Sequence, residues 1–147
     1  MRNDCWIFDI DGTLANGSHR KHWVNSKPKN WNAWYASAHL DTPYWDIIDF
    51  MNVARSKGLR VVISTGRSEE YREDTMRWFR NYGIHCERMY MRPTGDYRDD
   101  SVVKKEMLDQ MRVDGYNPLL VFDDRDRVVK MWRENGIRCL QVQEGNF

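Results

Sequence analysis

Four short apolar runs interrupt an otherwise polar chain, at residues 5–8, 59–63, 119–122 and 139–142. Each has the length of a strand buried on both faces, and residues 88–91 make a fifth, weaker candidate. Stretches with helical spacing lie between the runs. Three of them end in Gly58, Gly83 and Gly136, the residue type that accepts the left-handed conformation after a helix. Thr42-Pro43 predicts an N-cap followed by a first-turn proline, opening a helix whose apolar face includes Ile47, Ile48, Met51 and Ala54. Strand and helix therefore alternate, and such units build a parallel sheet covered by helices.

Residues 16–42 break this rhythm, because they carry no apolar strand and separate the first strand from its crossover helix. They read as a cap insertion within one unit spanning 1–147. Arg20, Lys21, Lys27 and Lys29 face the single acid Asp41 there, interleaved with Trp23, Trp31, Trp34 and Tyr35. Two readings of these aromatics stay open, a small core for the cap and a stacking surface for nucleic-acid bases.

Composition narrows the class. A 147-residue chain with 41% hydrophobic and 31% charged residues is globular, and a formal charge of +1 creates no global field for a polyanion. Any such affinity must come from local clustering. Three cysteines at wide spacings, Cys5, Cys86 and Cys139, support neither a disulfide framework nor a zinc site, so they read as reduced thiols. No apolar run approaches the ~20 residues of a membrane span, nor is there the apolar stretch of a signal peptide. The expected location is the cytoplasm, without a membrane partner.

The chemistry gathers where apolar runs end. Asp9-Ile10-Asp11-Gly12-Thr13 directly follows the first run, which places Asp9 at the carboxyl end of a central strand, the edge where open parallel sheets bind ligands. An ionised Asp9 could attack phosphorus while Asp11 protonates the leaving oxygen and then activates water. Two carboxylates so close would repel each other and a phosphate, so the site calls for a hard cation, Mg²⁺. A calcium loop fails on spacing, since the positions needing glycine and glutamate hold Leu14 and Arg20.

Ser64-Thr65-Gly66-Arg67 ends the second run with a hydroxyl, backbone N–H groups and a guanidinium that could hold phosphate oxygens. Further on, Gly95-Asp96-Tyr97-Arg98-Asp99-Asp100 leads into Lys104. A phosphorane flanked by acid and metal needs a fixed cation, which Lys104 could supply, held by Asp100. The run 119–122 then meets Asp123-Asp124. Paired acids at a buried strand end cost stability unless a cation joins them, so both are expected metal ligands beside Asp9 and the backbone carbonyl of Asp11.

The order Asp-x-Asp-Gly-Thr, strand-terminal Thr, Lys, Asp-Asp resembles the haloacid dehalogenase (HAD) superfamily of phosphotransferases, which implies a Rossmann-like α/β fold with a small cap after the first strand. Asn16-Gly17-x-x-Arg20, Thr65-Gly66-Arg67, the segment from Gly95 to Lys104, Asp123-Asp124-Arg125-x-x-Val128-Val129-x-Met131-Trp132-Arg133 and Gly145-x-Phe147 narrow the likeness to the phosphatase domain of phage bifunctional polynucleotide kinase-phosphatases. That resemblance implies a Mg²⁺-dependent polynucleotide 3′-phosphatase acting through an aspartyl-phosphate, its partner the 3′-phosphate end of DNA or RNA. Asp9 would be the nucleophile and Asp11 the acid-base. Arg20, Arg67, Asp100, Lys104, Asp123 and Asp124 are implied as essential, and Thr65, Gly66, Arg67, Arg20, Arg98 and Asp100 are the expected phosphate-binding residues. A phage-encoded protein would work in the host cytoplasm.

No Gly-x-x-x-x-Gly-Lys-Ser/Thr loop occurs, so a kinase module would be a separate or fused partner. The Trp-rich cap departs from the bifunctional enzymes and leaves open a phosphatase of nucleotides or other small phosphomonoesters. A phosphoacceptor receiver module combines similar residues, but it places its acidic pair first and its acceptor Asp midway, the reverse of the order here.

Overall fold

The computed structural model describes residues 3–147. Strand β1 (Asp4–Phe8) opens the fold and leads into a two-stranded flap of β2 (Ala15–Asn16) and β3 (Thr42–Pro43), with the short helices α1 (His22–Asn25) and α2 (Trp31–Ala36) between them. From there the chain alternates through α3 (Trp45–Ser56), β4 (Arg60–Ser68), α4 (Arg72–Tyr82), β5 (Arg88–Arg92), α5 (Asp100–Val113), β6 (Asn117–Asp123), α6 (Asp126–Glu134) and β7 (Arg138–Gln141). Five strands form one parallel sheet in the order β5-β4-β1-β6-β7. The expected α/β architecture holds, and the faint run at 88–91 is the edge strand β5. The chain winds from β1 to one edge and returns to fill the other, so β1 and β6 flank the switch point where a ligand crevice opens.

Side chains alternate across β1, and each face meets its own helices. Phe8 packs with Ile48, Met51 and Ala54 of α3 and Trp78 and Phe79 of α4. Cys5 and Ile7 face Val103, Met107, Leu108 and Met111 of α5 and Val128, Val129 and Trp132 of α6. Gly58, Gly83 and Gly136 all take positive φ where their helices stop.

The Thr42-Pro43 expectation needs correction. These residues are not a helix start, because Thr42 pairs with Asn16 and Pro43 with Ala15 in the flap. Tyr44 donates its N–H to Leu14 O at 2.8 Å and takes over the start of α3, its carbonyl accepting from the N–H groups of Ile47 and Ile48. The predicted helix face survives, with Ile48, Met51 and Ala54 buried and Ile47 partly so.

The cap is not built as a small apolar core. Neither α1 nor α2 contains a buried residue, whereas Arg20 and Asp41 are wholly buried. Charge, more than apolar area, attaches this segment to the sheet. Among the described residues no helix is long and apolar enough to cross a membrane.

Candidate active site

Asp9 follows β1, and its N–H donates to Phe122 O of β6 at 3.0 Å, so the sheet ladder fixes its backbone at the carboxyl edge. β6 ends beside it in Asp123, and α5 brings Lys104 to the same point. Lys104 Nζ donates to Asp9 Oδ1 and to Asp123 Oδ2, both at 2.9 Å. Thr13 Oγ1 donates to Asp9 Oδ2 at 3.3 Å. Asp123 also accepts from the N–H of Asp124 at 2.8 Å and from Trp132 Nε1 at 3.3 Å.

Asp9, Asp123 and Asp124 are buried, and each offers an oxygen within 4.8 Å of the others. One ammonium thus faces three carboxylates, a deficit of positive charge in a low-dielectric setting. Burial, then Asp123, push the Asp9 carboxyl well above its ordinary range, with Lys104 opposing them. Burial and Asp123 likewise push Asp124 up to about 6. On Lys104 burial acts downward, but Asp123, Asp9 and Asp100 outweigh it and hold the amine charged. An all-oxygen, acid-rich donor set with surplus negative charge fits a hard divalent cation such as Mg²⁺. Gly12 lets Asp124 stand this close. A Cβ at Gly12 would lie 2.1 Å from Asp124 Oδ2, and its φ of +85° also disfavours any side chain.

Asp11 belongs to a second assembly. Its carboxylate accepts from Arg67 Nε at 3.0 Å and Nη2 at 2.7 Å, and from Arg20 Nη2 at 2.5 Å. Burial would raise its pKa, yet the two arginines outweigh it and hold the carboxyl well below its usual range. The metal ligand expected from Asp11 is its backbone carbonyl, and the arginines occupy its side chain. Only its backbone carbonyl remains a candidate.

Arg20, expected at the scissile phosphate or its neighbour, has partners within the chain on every guanidinium nitrogen. Its Nε and Nη2 donate to Asp41 at 2.8 and 2.6 Å, its Nη1 to Trp34 O at 3.2 Å, and its guanidinium lies 3.8 Å from the Trp34 ring. Arg20 ties Asp11 to the cap. Asp41 also takes His19 Nε2 at 2.7 Å and lies 3.7 Å from Arg67. As the lone acid of a basic segment, Asp41 carried a sequence signal for this role that went unread.

β4 does not stop at residue 63 but continues to Ser68, carrying Thr65, Gly66 and Arg67 to the edge. The Thr65 hydroxyl accepts from Arg67 N at 3.1 Å, and Arg67 Nη1 donates to Thr75 of α4 at 3.2 Å. Asp100 makes no hydrogen bond to Lys104, contrary to expectation. It accepts from Arg92 Nη2 at 2.8 Å and crowds Gly66, where a Cβ would lie 2.2 Å from its Oδ1. Arg92, which sequence reasoning missed, also donates to Gly66 O at 2.9 Å and so braces the turn. Arg98 is not brought to the cluster. It is half exposed and its guanidinium is shared between Asp96 and Glu106.

With this geometry in hand, the relatives fall into place. A family model described as the polynucleotide kinase PNKP phosphatase domain matches residues 3–147. A protein of Autographa californica nuclear polyhedrosis virus, described as a bifunctional polynucleotide kinase/RNA ligase, is 33% identical over 130 residues, 87% of this chain and 17% of that protein. The solved structure of a Pnkp1/Rnl/Hen1 complex contains a chain 32% identical with a TM-score of 0.85, covering 99% of this chain and 47% of that one. This chain thus spans less than half the length of either relative. A class C acid phosphatase from Bacillus anthracis, 15% identical, shares the fold at a TM-score of 0.73 over 100% of this chain and 69% of its own. The chain belongs to the polynucleotide kinase PNKP phosphatase-domain family, and is a phosphomonoester hydrolase of the HAD type.

Proposed function

We propose that the protein removes phosphate from polynucleotide 3′ ends through a covalent phosphate on Asp9. The observation that carries this reading is the position of Asp9 at the strand end, one oxygen held by Lys104 and the carboxylate within 4.8 Å of oxygens of Asp123 and Asp124. In the first step an Asp9 oxygen bonds to phosphorus as the bond to the 3′ oxygen breaks, and Asp11 gives that oxygen a proton. In the second, water bonds to phosphorus, the Asp9–phosphorus bond breaks, and Asp11 takes the water's proton. Lys104 stays beside Asp9 throughout and stabilises charge on the transferring phosphoryl group. A magnesium ion held by Asp9, Asp123, Asp124 and the Asp11 carbonyl would neutralise the carboxylates against the incoming phosphate.

The free enzyme is set for the second step, because Arg67 and Arg20 keep Asp11 ionised. For the first step Asp11 must gain a proton. Transfer of Arg67 from Asp11 to a substrate phosphate oxygen would permit that, and would make protonation of the acid follow substrate binding. The polynucleotide level of the reading is supported by the family match and by the basic cap. The relatives' names, one a kinase/ligase and one part of an RNA repair complex with Rnl and Hen1, support a kinase module as partner and a place in nucleic-acid end repair.

The test compares Mg²⁺-dependent phosphate release from a 3′-phosphorylated oligonucleotide, the same oligonucleotide phosphorylated at its 5′ end, and a 3′-mononucleotide. The expected order puts the first well ahead. Equal rates on the first and third would establish a small-phosphomonoester phosphatase instead.

A further inference from the structure

The four aromatics of the cap do not share one role. Trp34 packs beneath Arg20 and Trp23 lies against His22 at 4.6 Å. Trp31 and Tyr35 are spaced i, i+4 on α2, so they share a helix face, with ring centroids 6.4 Å apart. Tyr35 in turn stacks on Tyr71, which precedes α4, at 4.3 Å and 18° between planes. Lys29 Nζ stands 5.6 Å from the Trp31 ring. A row of three rings therefore begins at a lysine on the cap and crosses to the core.

Two features turn this row toward the reaction. Tyr35 sits in the field of Asp11, Arg92, Arg67 and Asp100, and burial, then Asp11, push its phenol up to about 12, so the ring is neutral at working pH. Beneath the stack lies a cavity of about 280 Å³, walled by Tyr35, Tyr71, Trp78, Arg77 and Asn81, with Arg67 as its wall toward Asp11. Trp31 is 50% exposed and Tyr97, in the field of Tyr71, is 94% exposed. Packing within the chain does not account for Trp31, a large ring half exposed beside a cation. Base–aromatic stacking with a nearby positive charge does, because every base has a π-face and every linkage an anionic phosphate.

We propose that Trp31, Tyr35 and Tyr71 form a stacking platform for the unpaired bases next to the phosphorylated 3′ end of a single-stranded polynucleotide, with Lys29 beside its backbone. The inference rests on the polynucleotide reading above and adds to it a strandedness requirement and a location. Glu70 and Asp74 act on Tyr71, so the phosphates run on the Lys29 side of the row. Stacking reads bases rather than sugars, and the platform accepts DNA and RNA strands alike.

The test uses the full chain and measures kcat/KM for a single-stranded 3′-phosphorylated hexanucleotide, as DNA and as RNA, and for p-nitrophenyl phosphate. Trp31→Ala is expected to lower the oligonucleotide-to-ester ratio roughly tenfold, and Trp31→Phe to restore most of it. A fall on both strands supports the platform, and a fall on one alone overturns its acceptance of both. An unchanged ratio overturns it and leaves the rings to a protein partner. A second arm follows fluorescence anisotropy of a labelled 3′-hydroxyl single strand added to the Asp9→Asn enzyme with and without Trp31→Ala. If the wild type releases no phosphate from the hexanucleotide, the proposed function fails, yet Trp31-dependent binding in this arm still upholds the platform. Binding without Trp31 dependence, or none, rejects it.

Discussion

The charged layer at the sheet edge has two halves that obey opposite electrostatics. Around Asp9, three carboxylates share one lysine. Around Asp11, two carboxylates, Asp11 and Asp41, meet two arginines, Arg20 and Arg67. The first half carries more negative charge than its one lysine cancels, and the second is neutral by itself. A surplus held in low dielectric costs stability and is tolerated where a ligand removes it, which supports the first half as the proposed cation and phosphoryl site. The neutral half instead fixes the cap to Asp11, the proposed acid. Cap position and the protonation of Asp11 are thereby one problem.

The largest effect that sharpens this contrast is chemical. Asp9→Asn keeps the side-chain volume and removes the proposed nucleophile, so phosphate release should fall on the order of a thousandfold or more, with the fold intact by circular dichroism. Wild-type turnover in that variant would remove the covalent route. Chelation should act on the same half. EDTA should stop release and Mg²⁺ restore it, and full activity under exhaustive chelation would dissociate the three-acid cluster from metal.

Next in size is a pair of neutralisations that should move stability in opposite directions. Asp41→Asn takes an acid from the balanced half and leaves Arg20 and Arg67 to share Asp11 alone, one buried positive charge in excess, a change of the class that costs about 3–5 kcal/mol. Melting should drop by roughly 10 °C for a chain of this length. Asp124→Asn takes an acid from the surplus half, so without metal it should melt at or above the wild type, while the stabilisation that Mg²⁺ gives the wild type should shrink or vanish. If both variants lost stability equally without metal, the two halves would not differ in charge balance and the contrast would collapse.

How much of this was legible in the sequence depended on whether a residue's partner lay nearby along the chain. Asp9, Asp123 and Asp124 announce themselves because each follows an apolar run, and strand direction alone delivers them to one edge. Lys104 was legible as a cation but not in its partners, since Asp100 four residues earlier was the local choice while Asp9 and Asp123 reach it only through tertiary folding. The Arg20–Asp41 tie spans 21 residues through a segment without periodicity, and nothing local ranks Arg20 as buried rather than exposed. Thr42-Pro43 shows the converse. Its local chemistry favoured a helix start, and pairing with Asn16 and Ala15 overrode it.

The smallest expected effect concerns Arg98, which the family likeness joined to the phosphate contacts and the structure assigns to neither half. Its guanidinium is taken by Asp96 and Glu106 at the surface, where ion pairs contribute little and are screened by salt. Arg98→Ala should therefore leave kcat/KM for p-nitrophenyl phosphate within about twofold of wild type, in line with the small cost of surface substitutions. Arg67→Ala, by contrast, removes the cation that both holds Asp11 and borders the cavity, and it should depress kcat on every substrate. Measured side by side, the two variants ask whether a guanidinium matters by its place in the sequence motif or by its place in the charge balance. A tenfold loss with Arg98→Ala would bring the loop at 93–99 into the reacting site and add a third group of charges to the two compared here.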